Sequence, residues 1–112
     1  MSRKIGELTP LALHILVALS DGPRHGYAVI RDIEERTDGA LNVRSGTLYV
    51  ALQRLRDSGM IEEVAPPPDS TDARRKFFAL TEAGKGAALR EMRSLGRLVA
   101  DAQRRLGDTV TE

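Results

Sequence analysis

Residues 45–80 decide the fold of this chain, and they read SGTLYVALQRLRDSGMIEEVAPPPDSTDARRKFFAL. The first part, residues 45–58, has apolar side chains at helical spacing and ends at a Ser-Gly pair, so it predicts a helix with Ser45 as its N-cap. Two strand-like runs follow at 60–64 and 76–80, and the three consecutive prolines between them exclude both helix and regular strand. The stretch therefore predicts a helix followed by a β-hairpin with a stiff, protruding loop.

The predicted helix buries only a narrow stripe of side chains: Leu48, Ala51, Leu52 and Leu55. Its outward face carries Thr47, Tyr49 and Arg54. The major groove of B-DNA admits one α-helix, and the N-terminal half of that helix reaches base edges. A Ser45 cap leaves the helix N-terminus free to meet a phosphate. These four residues are therefore candidates for DNA contact, and the alternative for Tyr49 is a core aromatic with its hydroxyl at the surface.

A compact basic cluster, Arg74, Arg75 and Lys76, precedes the second predicted strand. The whole chain has 17 basic and 16 acidic residues and a net charge of +1, but nucleic-acid binding depends on local rather than average charge. From the edge of a hairpin, these cations could follow a DNA backbone or enter a minor groove. The alternative is ordinary solvated surface charge.

Two further helices are predicted upstream, over residues 8–19 and 25–37. The first follows Thr9-Pro10, which supplies an N-cap hydroxyl and a proline at the first helical position. The second has an apolar stripe of Tyr27, Ile30 and Ile33. We therefore expect Tyr27 to pack between helices rather than to contact a ligand.

The last segment, residues 81–106, begins at an N-cap candidate, Thr81, and has the most regular apolar pattern of the chain. Six residues, called the seam below, recur at spacings of 4, 3, 4, 3 and 4: Ala88, Met92, Leu95, Val99, Ala102 and Leu106. This spacing is typical of the a and d positions of a coiled coil. Because the seam extends beyond what a three-helix head can cover, a second copy of the chain is its simplest partner. The alternative is a helix folded back on its own head.

Composition excludes several classes of protein. With 112 residues the chain has room for one ordinary domain, and with no cysteine it has neither disulfides nor thiolate metal sites. It has no apolar run of about 18 residues, so no membrane span is expected, and a cytoplasmic location fits. We find no nucleophile–base set, paired carboxylates or phosphate loop, so we predict no enzyme, no cofactor and no metal site.

Four stretches together resemble the PadR family of bacterial transcriptional regulators. They are LTPLALHILVAL at 8–19, GPRHGYAVIRDI at 22–33, SGTLYVALQRLRDSGMIE at 45–62 and RRKFFALTEAG at 74–84. The resemblance covers residues 7–86, and the single long helix after it is similar to that of the smaller PadR subfamily. It implies a mainly α fold with a small β-hairpin, in which a winged helix-turn-helix DNA-binding domain at 1–80 precedes a dimerisation helix at 81–112.

The resemblance also implies a homodimer that binds palindromic double-stranded operator DNA, usually as a repressor. The family's DNA contacts come from the GTLY helix and the basic end of the wing, and they carry over here to Ser45, Thr47, Tyr49, Arg54, Arg74, Arg75 and Lys76. Several relatives respond to small aromatic or cationic effectors near the dimer interface. Here the surface around Met92, Leu95 and Val99 could take such a ligand, with plain interface as the alternative.

Two departures from the family pattern affect the DNA-contacting elements. Many relatives have proline where this chain has Val50, and many have glycine at the wing tip where this chain has Pro66-Pro67-Pro68. The wing contacts are the part of the resemblance most affected. The rival hypothesis from another class is a winged-helix dimer that binds a partner protein and no DNA. A MarR-type regulator would need a longer helix before Leu8.

Overall fold

The computed structural model describes residues 8–70 and 74–107 of the 112. Within them, the chain forms four α-helices and three short strands, in the order α1 (Pro10–Ala18), β1 (Arg24–His25), α2 (Gly26–Arg36), α3 (Ser45–Asp57), β2 (Ile61–Val64), β3 (Phe77–Leu80) and α4 (Glu82–Leu106). A 3₁₀ turn, Leu19–Asp21, separates α1 from β1. The fold is mainly helical with one small antiparallel sheet, which confirms the predicted fold class.

Side-chain caps define where three of the helices begin. The Thr9 hydroxyl accepts the Ala12 N–H at 3.1 Å, and the Thr81 hydroxyl accepts the Gly84 N–H at 3.0 Å, so both predicted caps are confirmed. α2 begins one residue later than predicted because His25 is its cap. The His25 Nδ1 atom accepts the Ala28 N–H at 3.2 Å.

The predicted Ser45 cap is wrong. Arg44 is extended and holds the N-cap position of α3, Ser45 is already the first helical residue, and no side chain caps the helix. The Leu48 N–H bonds to the Arg44 carbonyl oxygen at 2.9 Å, so the helical hydrogen bonds begin one residue before the expected position. The first-turn N–H groups of α3 therefore lack a side-chain acceptor.

The sheet has the strand order β1-β3-β2, with β3 in the centre. β2 pairs with β3 along four residues, from Ile61 opposite Leu80 to Val64 opposite Phe77, which confirms the predicted hairpin. β1, which pairs with the other edge of β3, was not predicted. It has only two residues, too few to produce an alternating pattern, and the prediction placed one of them, His25, in the following helix.

The hydrophobic core gathers the inner faces of all four helices and the sheet: Ile15 and Leu16 from α1, Val29 and Ile33 from α2, Leu48 and Leu52 from α3, Ala88 from α4, and Ile61 and Phe78 from the strands. The predicted inward stripe of α3 is confirmed, since Leu48, Leu52 and Leu55 are buried. The inner side of α3 is therefore fully occupied within the chain.

The prediction that Tyr27 packs between helices is wrong, because its side chain is 54% exposed. A step of three residues rotates only about 300° around a helix, so two steps place Tyr27 about 120° away from the buried Ile33. The core position on that turn of α2 belongs to Val29, which lies four residues before Ile33.

α4 is fixed to the rest of the molecule only through its first two turns, where Gly84, Ala87 and Ala88 are buried. A Cβ atom at Gly84 would lie 2.0 Å from the Met60 carbonyl oxygen, so only glycine allows the helix this close. The Thr81 N–H donates to the same oxygen at 3.1 Å. None of the helices in residues 8–70 and 74–107 has both the length and the apolar character needed to cross a bilayer.

Candidate nucleic-acid interface

The outer face of α3 is open along its whole length. Ser45, Thr47, Tyr49 and Arg54, the four predicted DNA-contact residues of this helix, are all exposed. The face opposite the buried stripe also presents Gly46, Val50 and Gln53. A helix that is completely packed on one side and projects polar, aromatic and basic groups on the other can enter a groove without unfolding.

Tyr49 combines the two alternatives that its sequence position left open. Its side chain is 48% exposed, yet the end of its ring lies against the start of α2. A Cβ atom at Gly26 would lie 3.1 Å from the Tyr49 hydroxyl oxygen and 3.4 Å from Leu48. Gly26 therefore makes room for Tyr49, and the ring is held in place while one side of it faces solvent.

α3 and the basic cluster line one surface groove of about 400 Å³. Its lining residues are Tyr49, Leu52, Gln53, Arg56, Arg74, Arg75, Lys76 and Phe78. The fold thus brings Tyr49 together with all three cations of the cluster, although they are about 25 positions apart in the sequence. Ser45, Thr47 and Arg54 lie on α3 outside the lining of this groove.

Arg56 is a groove residue that was not predicted from the sequence. In the structure it also lies 3.8 Å from both the Asp57 and the Glu63 carboxylates. These contacts are partly exposed and therefore weak, and the two carboxylates offset the positive charge that Arg56 brings to the groove.

A second cluster joins α2 to the wing, the β2–β3 hairpin with its loop. The Tyr27 ring stacks on the His25 ring with 6.4 Å between centroids, and the guanidinium carbons of Arg31 and Arg75 lie 5.8 and 5.5 Å from the Tyr27 centroid. The Arg75 Nη1 atom lies 3.5 Å from His25 Nδ1. The cation–π geometry places Arg75 against α2. No local signal could predict a contact between residues 50 apart.

Arg24 on β1 stabilises the fold and does not line the groove. The Arg24 Nε atom donates to the Ala18 carbonyl oxygen at 2.8 Å and a terminal nitrogen lies 3.8 Å from the Asp21 carboxylate. Arg24 therefore ties β1 to the end of α1. This separates it from the basic cluster, whose three side chains are all exposed.

His14 belongs to the α1–α2 contact rather than to the groove. Burial, and secondly the positive charge of Arg36, lower the pKa of His14 below its ordinary value of 6.5. Arg36 reaches the His14 ring through Nη1 and the His14 carbonyl oxygen through Nη2, and it also pairs with Asp32. A neutral His14 accepts the Arg36 hydrogen bond, whereas a protonated ring would repel the guanidinium.

The seam of α4 is buried at its first residue, Ala88, and is largely exposed from Met92 onward. Ala88 is 9% exposed and lies in the core of its own chain, so this predicted dimerisation residue is already buried. Met92, Val99 and Leu106 are 52%, 55% and 81% exposed, and Ala102 is half-buried. Leu95 and the flanking Leu89 and Leu98 are exposed as well. The chain does not fold this helix back onto its own head.

Comparison with known proteins gives matches along most of the chain. The family model described as the transcriptional regulator PadR-like family matches residues 15–91. A 37.1 kDa protein in transposon TN4556 of Streptomyces fradiae is 38% identical over 84 residues, which cover 75% of this chain but only 22% of that protein. The match therefore spans about a fifth of the relative's length.

Two solved structures have the same fold. A PadR family transcription regulator from Clostridium difficile has a TM-score of 0.75 and 22% identity, with 88% of this chain and all of that chain covered (100%). Bacillus subtilis PadR in complex with operator DNA has a TM-score of 0.64 and 23% identity, with 75% of this chain and 47% of that chain covered. The helix order and the hairpin are thus those of a PadR-type winged-helix protein. From the family match and this architecture together, the chain belongs to the PadR-like family of transcriptional regulators.

Proposed function

We propose that this chain is a cytoplasmic, dimeric, DNA-binding repressor that binds a palindromic operator. The observation that carries the proposal is the shared groove, in which Tyr49 and Gln53 of the outer face of α3 meet the basic cluster. α3 would lie in the major groove, and Arg74, Arg75 and Lys76 would neutralise phosphates beside it. B. subtilis PadR, which has the same fold, forms a complex with operator DNA, and this supports the proposal that the present chain binds DNA.

Within each copy, the roles follow from position on α3. The uncapped first turn around Ser45 offers backbone N–H groups and the positive end of the helix dipole to a phosphate. Thr47 and Arg54 are exposed on the outer face, where a hydroxyl and a guanidinium can bond to base edges or phosphates. Tyr49 is held against α2 and, from the protein groove that it lines, would contact the DNA backbone.

The second copy would pair through the seam from Met92 to Leu106. Burying the exposed seam residues and their leucine neighbours would favour a dimer, since full burial of one large apolar side chain contributes about 1.5–3 kcal/mol. In this arrangement residues 1–80 form the DNA-binding domain and residues 81–112 the dimerisation helix. Two-fold symmetry of the protein then requires a palindromic site.

Repression would follow from occupation of the operator, and release would follow from an effector bound beside the seam. The effector class that fits an exposed surface of leucine, methionine and valine is a small aromatic molecule.

The test is binding to duplex DNA across a salt series, followed by footprinting upstream of the protein's own gene. The logarithm of the affinity should fall linearly with the logarithm of salt concentration, with a slope of about −0.9 for each neutralised phosphate. The footprint should show two half-sites about 34–36 Å apart or a multiple of it. Salt-independent or absent binding to every duplex would overturn the proposal and favour a protein partner.

A further inference from the structure

Val50 is an exposed aliphatic side chain that the fold does not explain. It is 53% exposed, and among residues 8–70 and 74–107 the other exposed large aliphatic side chains all lie on α4, next to or within the seam. The exposed Tyr27 and Tyr49 rings each have a neighbour in another part of the fold. Val50 lies on α3, far along the sequence from the seam, so it does not belong to the exposed apolar surface of α4.

Val50 lies at the centre of the outer face of α3. At about 100° per residue it is about 200° from both Leu48 and Leu52, which are fully buried. Thr47 and Arg54 lie three residues before it and four after it, on the same side of the helix. An apolar group is thus placed between a hydroxyl and a guanidinium, where a helix in the major groove comes nearest to the bases.

Gly46, one turn before Val50, leaves a gap beside it. A Cβ atom at Gly46 would meet nothing within 4 Å, and Gly46 is not among the glycines with a positive φ angle. Neither backbone conformation nor internal packing therefore requires glycine there. Because a helical side chain leans over the turn that precedes it, the Val50 methyl groups border this open position.

We propose that Val50 and the Gly46 gap form an apolar seat for the 5-methyl group of thymine in the major groove. The thymine methyl is the apolar group that a base pair presents there, and it pairs with small apolar side chains. The neighbouring cations at Arg54 and in the basic cluster favour a polyanion over an apolar peptide as the partner. This inference rests on the proposed DNA-binding function.

The test removes single methyl groups from the DNA. A duplex enriched from a randomised library by repeated binding to the full chain is synthesised with each thymine replaced in turn by deoxyuridine. At one thymine per half-site, the replacement should weaken wild-type binding about three- to fivefold, as expected when one buried methyl group is removed. Val50→Ala should bind the thymine duplex more weakly by a similar factor and should not distinguish uracil from thymine.

Two variants on the same face of α3 serve as controls. Gln53→Ala, which is also exposed, should keep the thymine–uracil ratio of the wild type whatever its absolute affinity. Thr47→Ser, which deletes the other nearby methyl group, should also keep the ratio. If Thr47→Ser abolishes the ratio and Val50→Ala keeps it, the assignment to Val50 is overturned.

The failure of this inference differs from the failure of the proposed function. Salt-sensitive binding to an enriched duplex, with no thymine whose methyl group matters, would overturn the methyl seat and leave DNA binding intact. No enrichment of any duplex, together with no salt-sensitive affinity, would overturn both. Because Val50 is exposed, Val50→Ala should keep the melting temperature of the wild type, which separates an effect on recognition from one on folding.

Discussion

The helices α3 and α4 are both amphipathic, but they differ in what covers their apolar sides. Leu48 and Leu52 of α3 are fully buried within the chain, whereas Met92 and Leu106 of α4 are 52% and 81% exposed. The apolar side of α3 is therefore fully covered within the chain, and its exposed side carries polar and basic groups around Tyr49 and the single aliphatic Val50. Beyond its second turn, the apolar side of α4 is exposed and is not covered by the rest of the described chain. The contrast indicates two kinds of partner: a polyanion for α3 and another apolar surface for α4.

The largest expected effect comes from breaking the α4 surface. Leu95→Glu places a charge in the middle of the proposed seam, and we expect a monomer at micromolar concentration in analytical ultracentrifugation. Loss of the second head should weaken operator binding at least about 100-fold, because the two heads no longer bind as one unit. Arg97→Gln changes the net charge by the same amount on the opposite side of α4 and should leave the dimer intact. A dimeric Leu95→Glu variant would contradict the account.

The next effect concerns the joint between the two regions. Gly84→Ala would place a Cβ atom 2.0 Å from the Met60 carbonyl oxygen and 2.9 Å from Leu80. We expect the free energy of unfolding to fall by about 2 kcal/mol or more in chemical denaturation. Gly86→Ala, two residues along the same helix, meets only the Arg90 side chain at 3.5 Å. It should raise stability by up to about 1 kcal/mol, and equal effects of the two changes would refute the close approach at Gly84.

A smaller effect tests the α3 side of the comparison. Replacing Arg74, Arg75 and Lys76 with alanine should weaken DNA binding about tenfold or more and should reduce the salt slope by about 1 for each phosphate that is no longer neutralised. The matched control removes three cations from the outer side of α4: Arg90, Arg93 and Arg97. If both triple variants flatten the slope equally, the basic cluster has no special position on the DNA.

The smallest expected effect is a pH dependence of the free energy of unfolding that is caused by His14, a residue outside both surfaces. The pKa of His14 is lower in the folded chain than the ordinary 6.5, so the unfolded chain binds more protons near that pH. The contribution of His14 is therefore fully present above about pH 6.5 and is lost as the pH falls through the lowered value. Thermal unfolding of the wild type and His14→Gln between about pH 7.5 and 5.5 measures it. The variant should lose less stability than the wild type over this range, and parallel curves would exclude the effect.

Secondary structure was predicted best where apolar residues recur regularly along a segment and only one side of that segment is buried. The α3 stripe, the hairpin and the Thr9 and Thr81 caps were predicted because each depends on neighbours within a few residues. The exposure of the seam could also be anticipated, since α4 is longer than the head that it packs against. The role of these surfaces in pairing and in DNA contact stays a prediction.

The error at β1 arose because that strand depends on a distant partner, whereas the errors at Ser45 and Tyr27 arose from local ambiguity along the chain. β1 has two residues and exists only because β3 lies beside it. Ser45 has the right side chain for a cap, but Arg44 already provides the extended residue that precedes the helix. Tyr27 was expected to pack between helices because its three-residue spacing to Ile30 and Ile33 suggested one shared apolar stripe, but its exposed ring contacts His25 and Arg75.

The most direct test of the account is the number of chains bound to one operator duplex, measured by sedimentation across a series of salt concentrations. Two chains per duplex, with an affinity that weakens steeply as salt rises, are the expected result. A complex with a single chain at saturation would contradict the pairing through α4. An affinity that does not change with salt would contradict the placement of α3 and the basic cluster on DNA.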